Sequence, residues 1–189
     1  MSALRIRKLT YSAMYLALAL VLPFVTGQIP EIGSMLCPMH FPVLLCGFMC
    51  GWPWGLAIGF IAPLLRSVLF GMPTLFPTAA AMAFELAVYG GAAGFLRQLL
   101  PKKAGMLYVE LMASMLLGRV AWGLVQWLLT GLSGSTFTWQ LFLSGAVLNA
   151  IPGIILQLVL IPVIVATMEK AGLSLNKPTK GTEHDKRSL

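Results

Sequence analysis

Residues 66–85 read RSVLFGMPTLFPTAAAMAFE. The stretch sets a cation, Arg66, and an anion, Glu85, on either side of a short link containing Pro73, Thr74 and Pro77, inside sequence otherwise suited to hydrocarbon. A charge near a bilayer centre costs about 2.5–3.5 kcal/mol on insertion scales, so ionisable groups there mark either a site or a structural pair. The rest of the chain supports that setting. Of its 189 residues, 58% are hydrophobic and 10% charged, with a mean hydropathy of +0.86. A soluble domain carries roughly 25% charged residues. The composition therefore specifies an all-α integral membrane protein.

Outward from the link, apolar runs and turn residues divide the chain into six spans. The first, 9–25, is too long for a cleavable leader and lacks a small-residue cleavage site, so it is expected to be retained. Residues 36–50 form the second, irregular at its start because of Pro38, His40 and Pro42. A turn at 51–55 with two interfacial indoles leads to the third, 56–70. Thr78 is the expected N-cap of the fourth, which ends near residue 96. The fifth covers 105–129, with Arg97, Lys102 and Lys103 in a basic connection before it. A Gly/Ser/Thr loop at 131–138 precedes the sixth, 139–168. Residues 1–168 then form one transmembrane domain, and the charged, apolar-poor tail 169–189 is expected to be disordered.

Charge orients these spans. With the N-terminus inside, eleven of the thirteen Lys and Arg fall on the cytoplasmic side, and the other two, Arg66 and Arg119, lie within spans. Such asymmetry predicts six helices with both termini cytoplasmic. It also accounts for the net charge of +7 without nucleic acid as a partner. Cys37, Cys46 and Cys50 show no metal-ligand spacing and read as small packing residues. No metal or cofactor is implied, and no GxxxxGK[ST] loop is present.

In this topology polar residues converge in the outer half. Helical rise puts Arg66 roughly 7 Å and Glu85 about 10–13 Å below the outer end. His40, Thr74 and Thr78 lie near that end, while Arg119, Gln126 and Asn149 reach toward mid-membrane. With Phe76, Trp122 and Trp127 as aromatic walls, the set describes a small-molecule pocket opening outward. Arg66 and Glu85 either contribute to it or neutralise one another between helices. Arg119 is too deep to reach the interface and needs a partner or a ligand. Glu110, near the inner end of the fifth span, reads as interfacial. Ala13 and Ala17, and the run Gly90-Gly91-Ala92-Ala93-Gly94, offer small faces for close helix contact, within this bundle or with another protein.

The segment Ala13-Met14-Tyr15-Leu16-Ala17, PMHFPVLLCG at 38–47 and LLRSVLFGMPTLFPTAAAMAFELAVYG at 64–90 together resemble the substrate-binding (S) component of energy-coupling factor (ECF) vitamin transporters. The resemblance covers most of residues 8–168. It implies capture of a water-soluble vitamin or precursor at the outer face of a bacterial plasma membrane, beneath a lid formed by 27–36. It also implies docking of the Ala13/Ala17 face on a transmembrane coupling subunit that works with two ATPase subunits. Two cations would suit a carboxylate such as pantothenate. If Glu85 cancels one of them, a neutral pyridoxine or hydroxymethylpyrimidine fits equally. The rival classes are a free-standing carrier, disfavoured by the absence of a repeat between halves, and an intramembrane enzyme, for which no GxSxG or HExxH motif is present.

Overall fold

The computed structural model describes residues 3–25, 35–101, 103–132 and 151–176. Six helices are bounded within them. Helix α1 is Ala3–Val25, α2 is His40–Cys50 and α3 is Trp52–Phe70. Helix α4 begins with a π turn at Leu75–Ala79 and continues through Ala80–Leu99, α5 is Ala104–Leu132 and α6 is Ile151–Lys170. The described chain ends share one end of the bundle, the terminal end; the 70–75 turn marks the other, the hairpin end.

Helix α2 is the hub. Its sequence, HFPVLLCGFMC, is apolar on every side, and a helix of that kind is stable only when it is surrounded. All eleven of its residues are buried, packed among α1, α3, α4 and α6. The outer helices show the reverse polarity of a soluble protein. Leu56, Phe60 and Val68 on α3, Met112, Leu116 and Leu124 on α5, and Ile155, Val159 and Val163 on α6 point outward. Four helices, spanning Trp52–Phe70, Leu75–Leu99, Gly105–Gly131 and Ile151–Lys170, are long and apolar enough to cross a membrane. These features identify a membrane protein with lipid-facing side chains.

Hydrocarbon gives little drive for helices to associate, so close backbone contact must supply the adhesion. Glycine supplies it here. Gly47 on α2, Gly55 on α3 and Gly90 on α4 meet main chain to main chain, and a Cβ on any of them would overlap the backbone of another. Gly59 lies on the backbone of Leu86, and Gly94 on that of Trp52. The Gly90–Gly94 run thus serves packing inside this bundle.

Several boundaries differ from the sequence expectation. The turn assigned to 51–55 is made by Gly51 alone, at φ 101°, and Trp52-Pro53-Trp54-Gly55 is already the first turn of α3, where proline is tolerated. Thr78 is not an N-cap, because α4 starts as a π turn in which the Ala79 amide donates to the Thr74 carbonyl at 2.9 Å. The eight residues 169–176 belong to the folded body rather than to a tail. Helix α6 runs to Lys170, the Leu175 amide donates to the Met49 carbonyl at 2.8 Å, and the buried Asn176 bonds both Gln98 and the Gly94 carbonyl. Residues 177–189 lie outside the described residues.

Arg97 and Glu110 also differ from expectation. Both are buried among helices. Arg97, on the last turn of α4, is buried and donates to both carboxylate oxygens of Glu110 at 3.2 Å and to Glu169 at 2.6 Å, tying α4, α5 and α6 together at the terminal end. A bidentate guanidinium suits that three-helix junction because its donors diverge in one plane.

Overpacking a filled interior costs ~1–3 kcal/mol. Gly90→Ala should therefore lower the thermal midpoint of the detergent-solubilised protein by several degrees, whereas Gly105→Ala, where an added Cβ meets nothing within 4 Å, should leave it unchanged. An unaltered midpoint for Gly90→Ala would contradict the glycine junction.

Candidate functional site

The length of α2 determines where polar groups can meet. Eleven residues span about 16 Å, half of a ~30 Å hydrocarbon core, so His40 starts its helix near the middle of the bundle rather than at its surface. Cys37 adopts φ 48°, a conformation uncommon outside glycine, as the chain turns into that start. Glu85 and Tyr89, one turn apart on α4, project toward it. Gly118 and Arg119 of α5 close the third side, with Trp122 and Gln126 three and seven residues further on along the same face.

At the centre, Arg119 Nη1 lies 2.9 Å from Glu85 Oε1, and His40 Nε2 lies 3.5 Å from the same oxygen. Arg119 Nη2 donates to Cys37 Sγ at 3.7 Å. The His40 and Tyr89 rings stand perpendicular with centroids 5.0 Å apart. Tyr89 can lie against α5 only because residue 118 is glycine; a Cβ there would overlap the ring. His40 and Glu85 are 2% exposed and Tyr89 is fully buried, while the Arg119 side chain keeps 14% of its surface.

The cluster is short of hydrogen bonds. Among the described residues His40 Nδ1 and Nε2, Tyr89 Oη, Arg119 Nε and Glu85 Oε1 are buried without a partner of hydrogen-bond geometry. The Arg119–Glu85 contact is an ion pair whose angle is not that of a hydrogen bond, which leaves Oε1 able to accept. Leaving a buried polar atom unmatched costs about 1–3 kcal/mol, so five such atoms on four neighbouring side chains are the strongest indication of where a polar ligand would sit. The positive end of α2 adds a favourable field for the Glu85 carboxylate.

His40, Glu85 and Arg119, all anticipated from the sequence, are brought together. Arg66 is not. Its Nη1 donates to the Leu20 carbonyl of α1 at 2.6 Å, and its guanidinium lies 5.1 Å from the Phe24 ring and 5.5 Å from that of Phe70. The Arg66–Glu85 pairing weighed from the sequence is therefore replaced by Arg119–Glu85. Thr74 and Thr78 are exposed on the π turn, where their hydroxyls bond one another at 3.2 Å. Phe76 and Trp127, expected as walls, face outward. Trp122 and Gln126 are half-buried. Asn149 and most of the 27–36 lid lie outside the described residues. Sequence reading passed over Tyr89 and took Cys37 only as a packing residue; Tyr89 could have been found, because it follows Glu85 by four residues and so shares its face.

The geometry combines a lipid-facing helical bundle with a buried, under-satisfied polar cluster. Residues 7–165 match the family described as ECF transporter, substrate-specific component, and the chain belongs to that family. It is a family of transporter components, not of enzymes. No curated protein and no solved structure matches the chain.

Removing one partner from a buried ion pair costs ~3–5 kcal/mol. Arg119→Met or Glu85→Leu alone should lower the thermal midpoint sharply, and the double variant should recover most of the loss. Additive effects of the two substitutions in thermal unfolding would show that the pair is not coupled.

Proposed function

We propose that this chain is the substrate-capturing subunit of an ECF transporter, binding a water-soluble vitamin or vitamin precursor from the outer side of a bacterial plasma membrane. The carrying observation is the His40–Glu85–Tyr89–Arg119 cluster, whose unmatched donors and acceptors a ligand would complete. In this reading the chain crosses six times with both termini in the cytoplasm, α2 supplying a helix for only half of its pass, consistent with the concentration of Lys and Arg at the terminal end. Energy comes from a separate coupling subunit and two ATPase subunits, in line with a chain that has no phosphate-binding loop of its own.

The coupling subunit docks on α1. Ala13 and Ala17 are exposed one turn apart, while Ser12, Tyr15 and Ala19 turn inward to the bundle. On the outer side of α1 these two alanines leave a notch between the exposed Leu9, Met14, Leu18 and Val21, where a partner helix can approach closely. The site residues proposed to touch ligand are His40, Glu85, Arg119, Trp122, Gln126 and Asn149, with Tyr89 added by the structure; Arg66, Thr74 and Thr78 shape the rim and its supporting wall.

Two experiments test this reading. The isolated chain in nanodiscs should bind a vitamin or precursor by calorimetry, with Arg119→Ala and Asn149→Ala each weakening binding by about tenfold or more, the size of one lost hydrogen bond to a charged or buried group. Ala13→Trp and Ala17→Trp should abolish uptake by cells carrying the coupling and ATPase subunits while leaving that binding intact. Normal uptake by both tryptophan variants would remove α1 as the docking face.

A further inference from the structure

Among the described residues the charged side chains in the hairpin half can be counted. They are Arg66, Glu85 and Arg119, with the His40 imidazole, the Cys37 thiol and the Tyr89 hydroxyl beside the last two. Arg119 is met by Glu85 at 2.9 Å. Arg66 is directed to the Leu20 carbonyl and two phenylalanine rings on the α1 side. The Glu85 carboxylate and the Arg119 guanidinium cancel, so the cluster keeps no fixed cation to pair with an incoming anion.

From this balance we infer that the ligand of the His40–Glu85–Tyr89–Arg119 cluster is an uncharged molecule carrying both hydrogen-bond donors and acceptors. The inference rests on the vitamin-binding reading above and selects within it. A carboxylate ligand could reach the Arg119 guanidinium only against the Glu85 carboxylate, and an ammonium could reach Glu85 only against Arg119; in a medium of low dielectric either repulsion is severe. The unmatched atoms specify what a neutral ligand must offer. Glu85 Oε1 can accept from a further donor beside Arg119, Arg119 Nε can donate to an acceptor, and both His40 nitrogens lack a hydrogen-bond partner among the described residues. Tyr89 Oη serves as either. Heteroaromatic alcohols, amines and amides meet these requirements; carboxylates do not.

Matched pairs isolate the charge. Full-length protein in nanodiscs at pH 7 would be titrated with pyridoxine and 4-pyridoxate, pantothenol and pantothenate, and nicotinamide and nicotinate. The uncharged member of a bound pair should bind about a hundredfold more tightly than its carboxylate twin, ~2.7 kcal/mol. Glu85→Gln, which keeps a hydrogen-bonding side chain but frees the Arg119 charge, should move that ratio at least about tenfold toward the carboxylate. Equal or tighter binding of the carboxylate by the wild-type protein overturns the inference, and so does an unchanged ratio in a folded Glu85→Gln variant. If that variant does not fold, the wild-type ratio decides alone. Failure of the wild-type protein to bind any of the six compounds would instead count against the vitamin-binding reading itself, and the inference would fall with it.

Discussion

A guanidinium and a carboxylate facing each other in an apolar interior constrain everything around them. Neither can be exposed to lipid, and neither can lose the other without leaving a buried charge unmatched. The Arg119–Glu85 pair therefore fixes the rotation of α4 and α5 about their axes and sets which residues accompany it. Tyr89 follows Glu85 by one turn; Trp122 and Gln126 continue the Arg119 face. Because α2 begins at mid-depth, His40 and Cys37 complete the enclosure, and a short helix does here what a full-length span could not.

The two ends of the bundle handle buried charge differently. At the terminal end, Arg97 meets Glu110 and Glu169 with four hydrogen bonds, and the chain folds back so that Leu175 and Asn176 bond backbone and side chains of α2 and α4. Polar groups there bind helices to one another. Around Glu85 the same residue types leave atoms unmatched. That contrast is why the proposed binding site is placed at the second cluster and the first is taken as a structural junction. The glycine contacts of α2, α3 and α4 lie between them, so the hub that holds the helices together also sets the depth of the polar cluster.

Much of this was legible in the sequence. Apolar runs and charge asymmetry gave the helical membrane bundle, and rarity of ionisable residues within it singled out His40, Glu85 and Arg119. The partner of Glu85 was not legible. Helical rise estimates depth, and at similar depth Arg66 and Arg119 were both eligible; the choice depends on which face of α3 looks toward α1, and contacts between helices decide that. The Arg97–Glu110 contact was not legible for the same reason, since a residue near a span end is exposed or buried according to its neighbours. The left-handed turn at Cys37 and the short α2 carried no distinctive residue pattern, because Pro38 and Pro42 are compatible with several irregular entries into a helix.

The central claim is that a ligand occupies the space beside the Glu85–Arg119 pair. A high-resolution structure of the chain with a bound vitamin or precursor would test it most directly. The account requires ligand atoms within hydrogen-bond distance of at least two of His40, Tyr89, Glu85 and Arg119, with the ion pair still closed. Ligand bound elsewhere in the bundle, for instance against Arg97, Glu110 and Glu169, with the His40 and Tyr89 polar atoms still unmatched, would contradict it.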